Sequence, residues 1–196
     1  MRIITGQYKG RQLKAPGGIR PTEDRIRKSL FDIIDPEGQS FLELFAGSGS
    51  VGFEALSQGA SGVLFVEKER GNVKVIEENA RLLTGGDAGK ASRIEVLTGD
   101  ALSIVPFLAR KGRKFDLIFL DPPYYMGTSE KMLQLLGEYD ILFCSGTIIV
   151  QHFKKDAVSE RAGGLEAFRK SKYGDSILTF YRKEQHEREG DLPGHV

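Results

Sequence analysis

The chain has 196 residues, 40% hydrophobic and 28% charged, an ordinary composition for one globular domain with a sizeable core. A single cysteine, Cys144, excludes an internal disulfide, and no stretch is long and apolar enough to cross a bilayer. The opening MRIITGQYKGR lacks the apolar run of a signal peptide, so a reducing, cytoplasmic setting is expected. The net charge of +1 hides an uneven split: residues 1–28 hold eight basic side chains against Glu23 and Asp24, while the remainder holds twenty against twenty-five acids. A basic arm on a mildly acidic body points to a polyanionic partner.

The first segment, RIITGQYKGRQLKAP, reads as a hairpin with Gly10 near its turn. Pro21-Thr22 then opens a helix, TEDRIRKSLFDII, with Thr22 as a candidate N-cap followed by the acids Glu23 and Asp24. Ile26, Leu30, Ile33 and Ile34 recur on one helical face, leaving Arg25, Lys28 and Asp32 elsewhere. From here strands alternate with helices. Strands are predicted at 40–45, 62–67, 93–97, 115–120 and 146–152, with helices at 50–58, 70–83, 101–110 and 128–138. That alternation predicts βαβ units and a mostly parallel α/β sheet with helices on both faces. Near the end, LEAFRKSKYGDSILTFYRK (165–183) carries two β-like runs around Tyr173-Gly174-Asp175, which predicts an antiparallel hairpin. The expected division is one domain over 1–183, with 1–36 as a basic extension, 37–183 as the core and 184–196 as a polar tail.

Four features carry chemistry. Residues 43–52, ELFAGSGSVG, place Gly47, Gly49 and Gly52 in a G-x-G-x-x-G turn between a strand and a helix, where backbone amides can face a ligand's negative charge. Glu67 ends the next strand, placed for ribose hydroxyls. Asp100, in TGDA (98–101), can accept from an adenine amino group and can also cap the helix that follows. The fourth is LDPPYY (120–125), where two prolines must end a strand and leave Asp121 at its tip. The glycine turn and Glu67 alone fit NAD(P) as well as S-adenosylmethionine. Glu43, inside an apolar strand, either lines a cofactor's charged end or pairs with a nearby base.

Assembled in this order, ELFAGSGSVGFEAL, the Glu67 strand end, Gly99-Asp100 and Asp121-Pro-Pro-Tyr124 resemble the class I S-adenosylmethionine-dependent methyltransferases, Rossmann-like in fold, and the D-P-P-Y element the branch that methylates nitrogen. The N-terminal RIITGQYKGRQLKAP and RPTEDRIRKSLFDII, with the closing YGDSILTFYR, resemble the bacterial RsmD family over about residues 1–183. The resemblance implies methyl transfer from S-adenosylmethionine to the 2-amino group of a guanine in 16S ribosomal RNA, naked or in a small-subunit particle, by a protein expected to be monomeric. It implies Asp121, Pro122, Pro123 and Tyr124 for catalysis, and Glu43, Phe45, Ala46, Gly47, Ser48, Gly49, Glu67, Lys68, Gly99, Asp100 and Ala101 for the cofactor. Arg2, Lys9, Arg11, Arg20, Thr22, Arg25 and Arg27 are then candidates for RNA phosphates, with Arg20, Thr22, Arg25 and Arg27 alternatively capping the cofactor pocket. Tyr124 stands where related enzymes often carry Phe, and the loop at 84–93 is longer than usual.

Competing functions are methylation of adenine in DNA, since D-P-P-Y also serves there, an NAD-dependent oxidoreductase, and a non-catalytic RNA-binding module. GGDAGKA (85–91) lacks the spacing and the Ser or Thr of a P-loop and is expected to be a flexible loop. His152, His186 and His195 form no metal spacing, and Cys144 is expected to be a small core residue.

Overall fold

The computed structural model describes residues 1–15, 21–123 and 127–184, with backbone alone for 21–23. Its strands are β1 (Ser40–Leu44), β2 (Gly62–Glu67), β3 (Ile94–Thr98), β4 (Phe115–Leu120), β5 (Leu142–Phe153), β6 (Arg161–Ala162), β7 (Leu165–Tyr173) and β8 (Ser176–Lys183). The helices are α1 (Pro21–Phe31), α2 (Ser50–Ser57), α3 (Arg70–Thr84), α4 (Ala88–Ala91), α5 (Ala101–Arg110) and α6 (Thr128–Glu138).

One sheet runs β3-β2-β1-β4-β5-β8-β7-β6. Strands β1 to β5 pair in parallel, and β8, β7 and β6 follow antiparallel. The apolar runs in the central strands follow from burial on both faces. Phe41, Phe65, Phe119 and Ile149 join one core with α1, α2 and α3, whereas Leu42, Leu64, Ile118 and Ile148 join a second with α5 and α6. Chain order reverses between β1 and β4. In open α/β sheets the crevice beyond the strand ends at such a reversal is where ligands bind.

The N-terminal segment lies against the first of these faces and is held mainly by polar groups. Glu54 on α2 accepts from the Ile4 and Thr5 amides at 2.9 and 2.7 Å and from the Thr5 hydroxyl at 2.8 Å. Ser57 donates to the Thr5 carbonyl at 2.5 Å and accepts from the Tyr8 amide at 3.0 Å. Gly6, at φ 74°, passes so close that an added Cβ would fall 1.9 Å from the Ser57 carbonyl oxygen. From α3, the buried Asn79 accepts from the Lys14 amide at 2.7 Å and donates to the Lys14 carbonyl at 2.9 Å.

The first segment forms the expected small hairpin, built on the antiparallel bridge of Arg2 with Gln12 and closed by bonds from the Ile3 amide to the Arg11 carbonyl at 3.0 Å and from the Leu13 amide to the Met1 carbonyl at 2.8 Å. Other expectations change. Thr22 is the second residue of α1, because the helix already starts at Pro21, whose fixed φ suits the first helical position. The region expected to be a flexible loop contains α4, capped by Asp87 accepting from the Lys90 amide at 3.0 Å. Strand β5 begins at Leu142, ahead of a register shift against β4, so Cys144 lies within it and is exposed rather than buried. The hairpin at 165–183 is present, closed by Gly174 and Asp175 between the paired Tyr173 and Ser176. The tail from 185 lies outside the described residues. Among the described residues no helix is long and apolar enough to cross a membrane, and no metal-ligating group of three or more side chains occurs.

Candidate active site

The glycine turn is built from the end of β1 into α2. Phe45 takes φ 59°, making it the non-glycine residue with positive φ among those described, and such strain is found where surrounding structure imposes it. Gly49 sits before the helix at φ 75°. Gly52, one turn in, has no room for a side chain: an added Cβ would lie 2.5 Å from Phe65 and 2.7 Å from Val63. Glu43, buried in β1, accepts from the Gly52 amide at 2.7 Å and more weakly from Val51 at 3.4 Å, so it ties the strand to the amide-bearing end of α2. Burial pushes its carboxyl up to about 8. The two amides and the Arg27 charge pull the other way, and Asp121 adds to the rise.

A cavity of about 200 Å³ opens at this point. Glu43, Phe45, Ala46, Gly47 and Ser48 line it from β1 and the turn, Asp121 from the end of β4, Gln151 from β5, and Ile26, Arg27 and Leu30 from α1. Gln151 donates to Asp121 Oδ2 at 3.0 Å and fixes one carboxylate oxygen at the cavity wall. Pro122 is buried and Pro123 exposed; Tyr124 lies outside the described residues. Glu67 reaches the turn directly: its carboxylate accepts from the Gly47 amide at 2.7 Å and the Glu69 amide at 2.8 Å. The Gly99 amide donates to the Glu67 carbonyl at 2.9 Å, which brings the ends of β2 and β3 into the same edge. Lys68, Gly99, Asp100 and Ala101 stand along that edge outside the cavity, and Asp100 caps α5 by accepting from the Leu102 amide at 3.1 Å.

The basic arm divides. Arg2, Lys9, Arg11 and Arg25 are exposed, and Arg11 donates to the Leu82 carbonyl near the end of α3 at 3.1 Å. Arg20 and the Thr22 side chain lie outside the described residues. Arg27 requires a correction as an RNA contact: it is 4% exposed, donates to the Arg2 carbonyl at 2.9 Å and Asp24 at 2.8 Å, and lies 3.6 Å from Glu54. Burial withholds it from an external phosphate and leaves it in the cavity wall. Its Nε is buried without a hydrogen-bond partner.

Three side chains that shape the site carry little signal in the chain itself. Gln151 signalled itself only as a polar residue inside the apolar run GTIIVQH, next to the strand that ends in Asp121. Glu54 was a carboxylate inside an otherwise apolar helix, SVGFEALS. Asn79 joins the arm to the glycine turn, donating also to the Ser48 carbonyl at 3.3 Å, and nothing in its neighbourhood in the chain marks it.

The family model described as "Conserved hypothetical protein 95" matches residues 1–182. YlbH of Bacillus subtilis is 35% identical over 93% of this chain and 99% of its own length. Ribosomal RNA small subunit methyltransferase D of Escherichia coli is 33% identical over 97% of this chain and 94% of its own. Among solved structures, yhhF of Escherichia coli superposes with a TM-score of 0.80 at 32% identity, covering 94% of this chain and 98% of that one.

Proposed function

The chain belongs to the family of conserved hypothetical protein 95 and ribosomal RNA small subunit methyltransferase D, and from that premise we propose that it methylates the exocyclic 2-amino group of a guanine in 16S ribosomal RNA, using S-adenosylmethionine. One observation carries the reading: Asp121, at the end of β4, and the glycine turn, at the end of β1, line one cavity at the point where chain order reverses.

The residues present fit the cofactor. Gly47 leaves open space where a side chain would stand, and Asp121 brings a carboxylate to the cavity wall for the sulfonium, a charge that S-adenosylhomocysteine lacks. Glu67 and Asp100, on the adjoining edge, are proposed to meet the ribose and the adenine. When bound, the group supplies an activated methyl on sulfur.

The protein's part is positioning. A nucleobase amine is a poor nucleophile because its lone pair is delocalised into the ring. Acceptors at the Asp121 carboxylate and the Pro122 carbonyl would hold the amine's hydrogens, aim its lone pair and stabilise the charge that develops on nitrogen. Gln151 keeps the Asp121 carboxylate from rotating. Pro122 and Pro123 fix the backbone behind it. Holding the reacting atoms in line is worth roughly 7–11 kcal/mol. Tyr124 is proposed to stack on the target base, and the exposed Arg2, Lys9, Arg11 and Arg25 to meet phosphates, in a grip that weakens as salt rises.

The test incubates the protein with tritiated S-adenosylmethionine and separate pools of small ribosomal subunits, naked 16S RNA, DNA and protein, followed by nucleoside analysis. Label in 2-N-methylguanosine from RNA is expected, and label in DNA alone rejects the reading. Asp121→Ala should lower turnover about 100- to 1,000-fold while S-adenosylhomocysteine affinity, measured by calorimetry, stays within about twofold. Full turnover by that variant would remove Asp121 from the chemistry.

A further inference from the structure

The end of β5 carries chemistry that the site does not use. Gln151 bonds to Asp121, and three residues further along the same strand direction lies Lys154, about 10 Å away at the rise of an extended chain. The Lys154 amide donates to the Asp175 carbonyl at 2.8 Å, and its Nζ lies 2.6 Å from the Asp175 carboxylate, so β5 is tied to the tip of the β7–β8 hairpin. Lys172, paired with Ile177 two positions before that tip, and Lys155 are exposed beside it. The hydrogen bond from Lys154, reinforced by the charges of Lys155 and Lys172, holds the Asp175 carboxyl below its ordinary range, which places three cations around one anion. Among the described residues, Lys155 and Lys172 form no ion pair, whereas the neighbouring Lys170 is spent on Glu160 at 3.0 Å.

The fold gives this surplus a direction. Glu54, Ser57 and Asn79 dock the basic arm on α2 and α3, which pack on β1, β2 and β3. Lys154 and Lys155 follow the end of β5 and Lys172 lies on β7, on the other side of β4 in the sheet order. The lysines lie at the strand ends where the cavity opens, and from the arm Arg2 reaches the same end, its carbonyl accepting from the cavity-lining Arg27, whereas Arg11 is held at the far end of α3.

We infer that Lys154, Lys155 and Lys172 form a second phosphate-binding surface, which grips the RNA strand on the side of the target nucleotide opposite the N-terminal arm. This rests on the reading of an RNA substrate. Lysine ammonium groups suit the role because they contact phosphates as point charges without demanding a fixed geometry.

The test is Lys155→Glu/Lys172→Glu, two exposed positions whose reversal breaks no ion pair among the described residues. Binding of a fluorescent 16S RNA fragment is measured against salt, together with S-adenosylhomocysteine calorimetry. The expected result is RNA affinity weaker by about tenfold or more and a log–log salt slope shallower by about 1.4, at roughly 0.7 per phosphate contact on a single strand, with cofactor affinity unchanged. Lys90→Glu/Lys111→Glu changes net charge equally at the opposite end of the sheet and should leave the slope as it is. An unchanged slope in the first variant, or an equal loss in the second, overturns the inference. So does loss of binding to an acidic polypeptide with none to RNA, which would assign the surface to a protein partner. Because the readout is binding, it is independent of turnover. A wild-type protein that grips RNA through these lysines yet labels only DNA would defeat the guanine reading and leave the surface standing.

Discussion

The sheet and the N-terminal arm are attached by different physics. In the sheet, side chains such as Phe41, Leu42, Phe65, Ile118 and Ile148 are fully or almost fully buried on two faces, and stability is spread over many contacts. In residues 1–15 the buried apolar side chains among those described are Ile3, Tyr8 and Leu13. Backbone groups hold the rest, and their partners are concentrated on Glu54, Ser57 and Asn79. Those three residues sit on α2 and α3, and α2 is the helix that the glycine turn opens. The lesson is one of economy in the fold: the basic arm hangs from the element that holds the cavity, so disturbing the second must disturb the first, whereas the reverse need not follow.

The sharpest way to break that asymmetry is Gly52→Val. Its Cβ alone would meet Phe65 at 2.5 Å, Val63 at 2.7 Å and Glu43 at 2.8 Å, none of which can retreat from a packed core. We expect a loss above about 3 kcal/mol in urea unfolding, and no S-adenosylhomocysteine binding in any folded fraction. A variant of native stability would show that α2 can move away from the sheet. Glu54→Ala comes next and should act locally. It removes the acceptor of two backbone amides and leaves Arg27 buried with less compensation, a change worth about 3–5 kcal/mol when a buried partner is lost. The arm should release before the sheet does. Amide exchange at Ile4 and Thr5 should reach the rate of an open chain while Leu64 and Ile118 remain slow. Persistent protection at Ile4 and Thr5 would mean that the apolar anchors alone hold the arm.

That contrast also explains what could be read from the chain. Apolar runs separated by helical spacing gave β1, β2 and β4 almost to the residue, because two-sided burial imposes its pattern directly on sequence. The glycine turn and Asp121 were legible for a related reason: a tight strand-to-helix turn and a proline-stopped strand each demand rare residue types. Gln151, Glu54 and Asn79 were not, since each gains its role from a partner 30 to 65 positions away. Arg27 misled for the same reason. In a basic helix it resembles Arg25, and only the long-range approach of Glu54 separates the buried guanidinium from the exposed one. Local chemistry announces itself; the docking of one region on another does not.

Glu43 tests the sheet side of the comparison with the smallest effect. Its carboxyl, ordinarily near 4.5, is raised to about 8, with burial as the main cause. A raised carboxyl means that the folded protein keeps a proton which the unfolded chain has released, so between these two values the unfolded state binds fewer protons and stability falls as pH rises. This one group contributes up to about 1.4 kcal/mol per pH unit across the window and nothing further above it. Glu43→Gln keeps an oxygen acceptor for the Gly52 amide and removes the titration. It should match or trail the wild type slightly at pH 5 and gain on it steadily, reaching an advantage on the order of 3 kcal/mol by pH 8, read from urea unfolding of both proteins at pH 5, 6.5 and 8. Parallel stability curves would show that the folded protein holds Glu43 ionised. The two α2 amides and Arg27 would then outweigh desolvation, and the cavity would present a second negative charge beside Asp121.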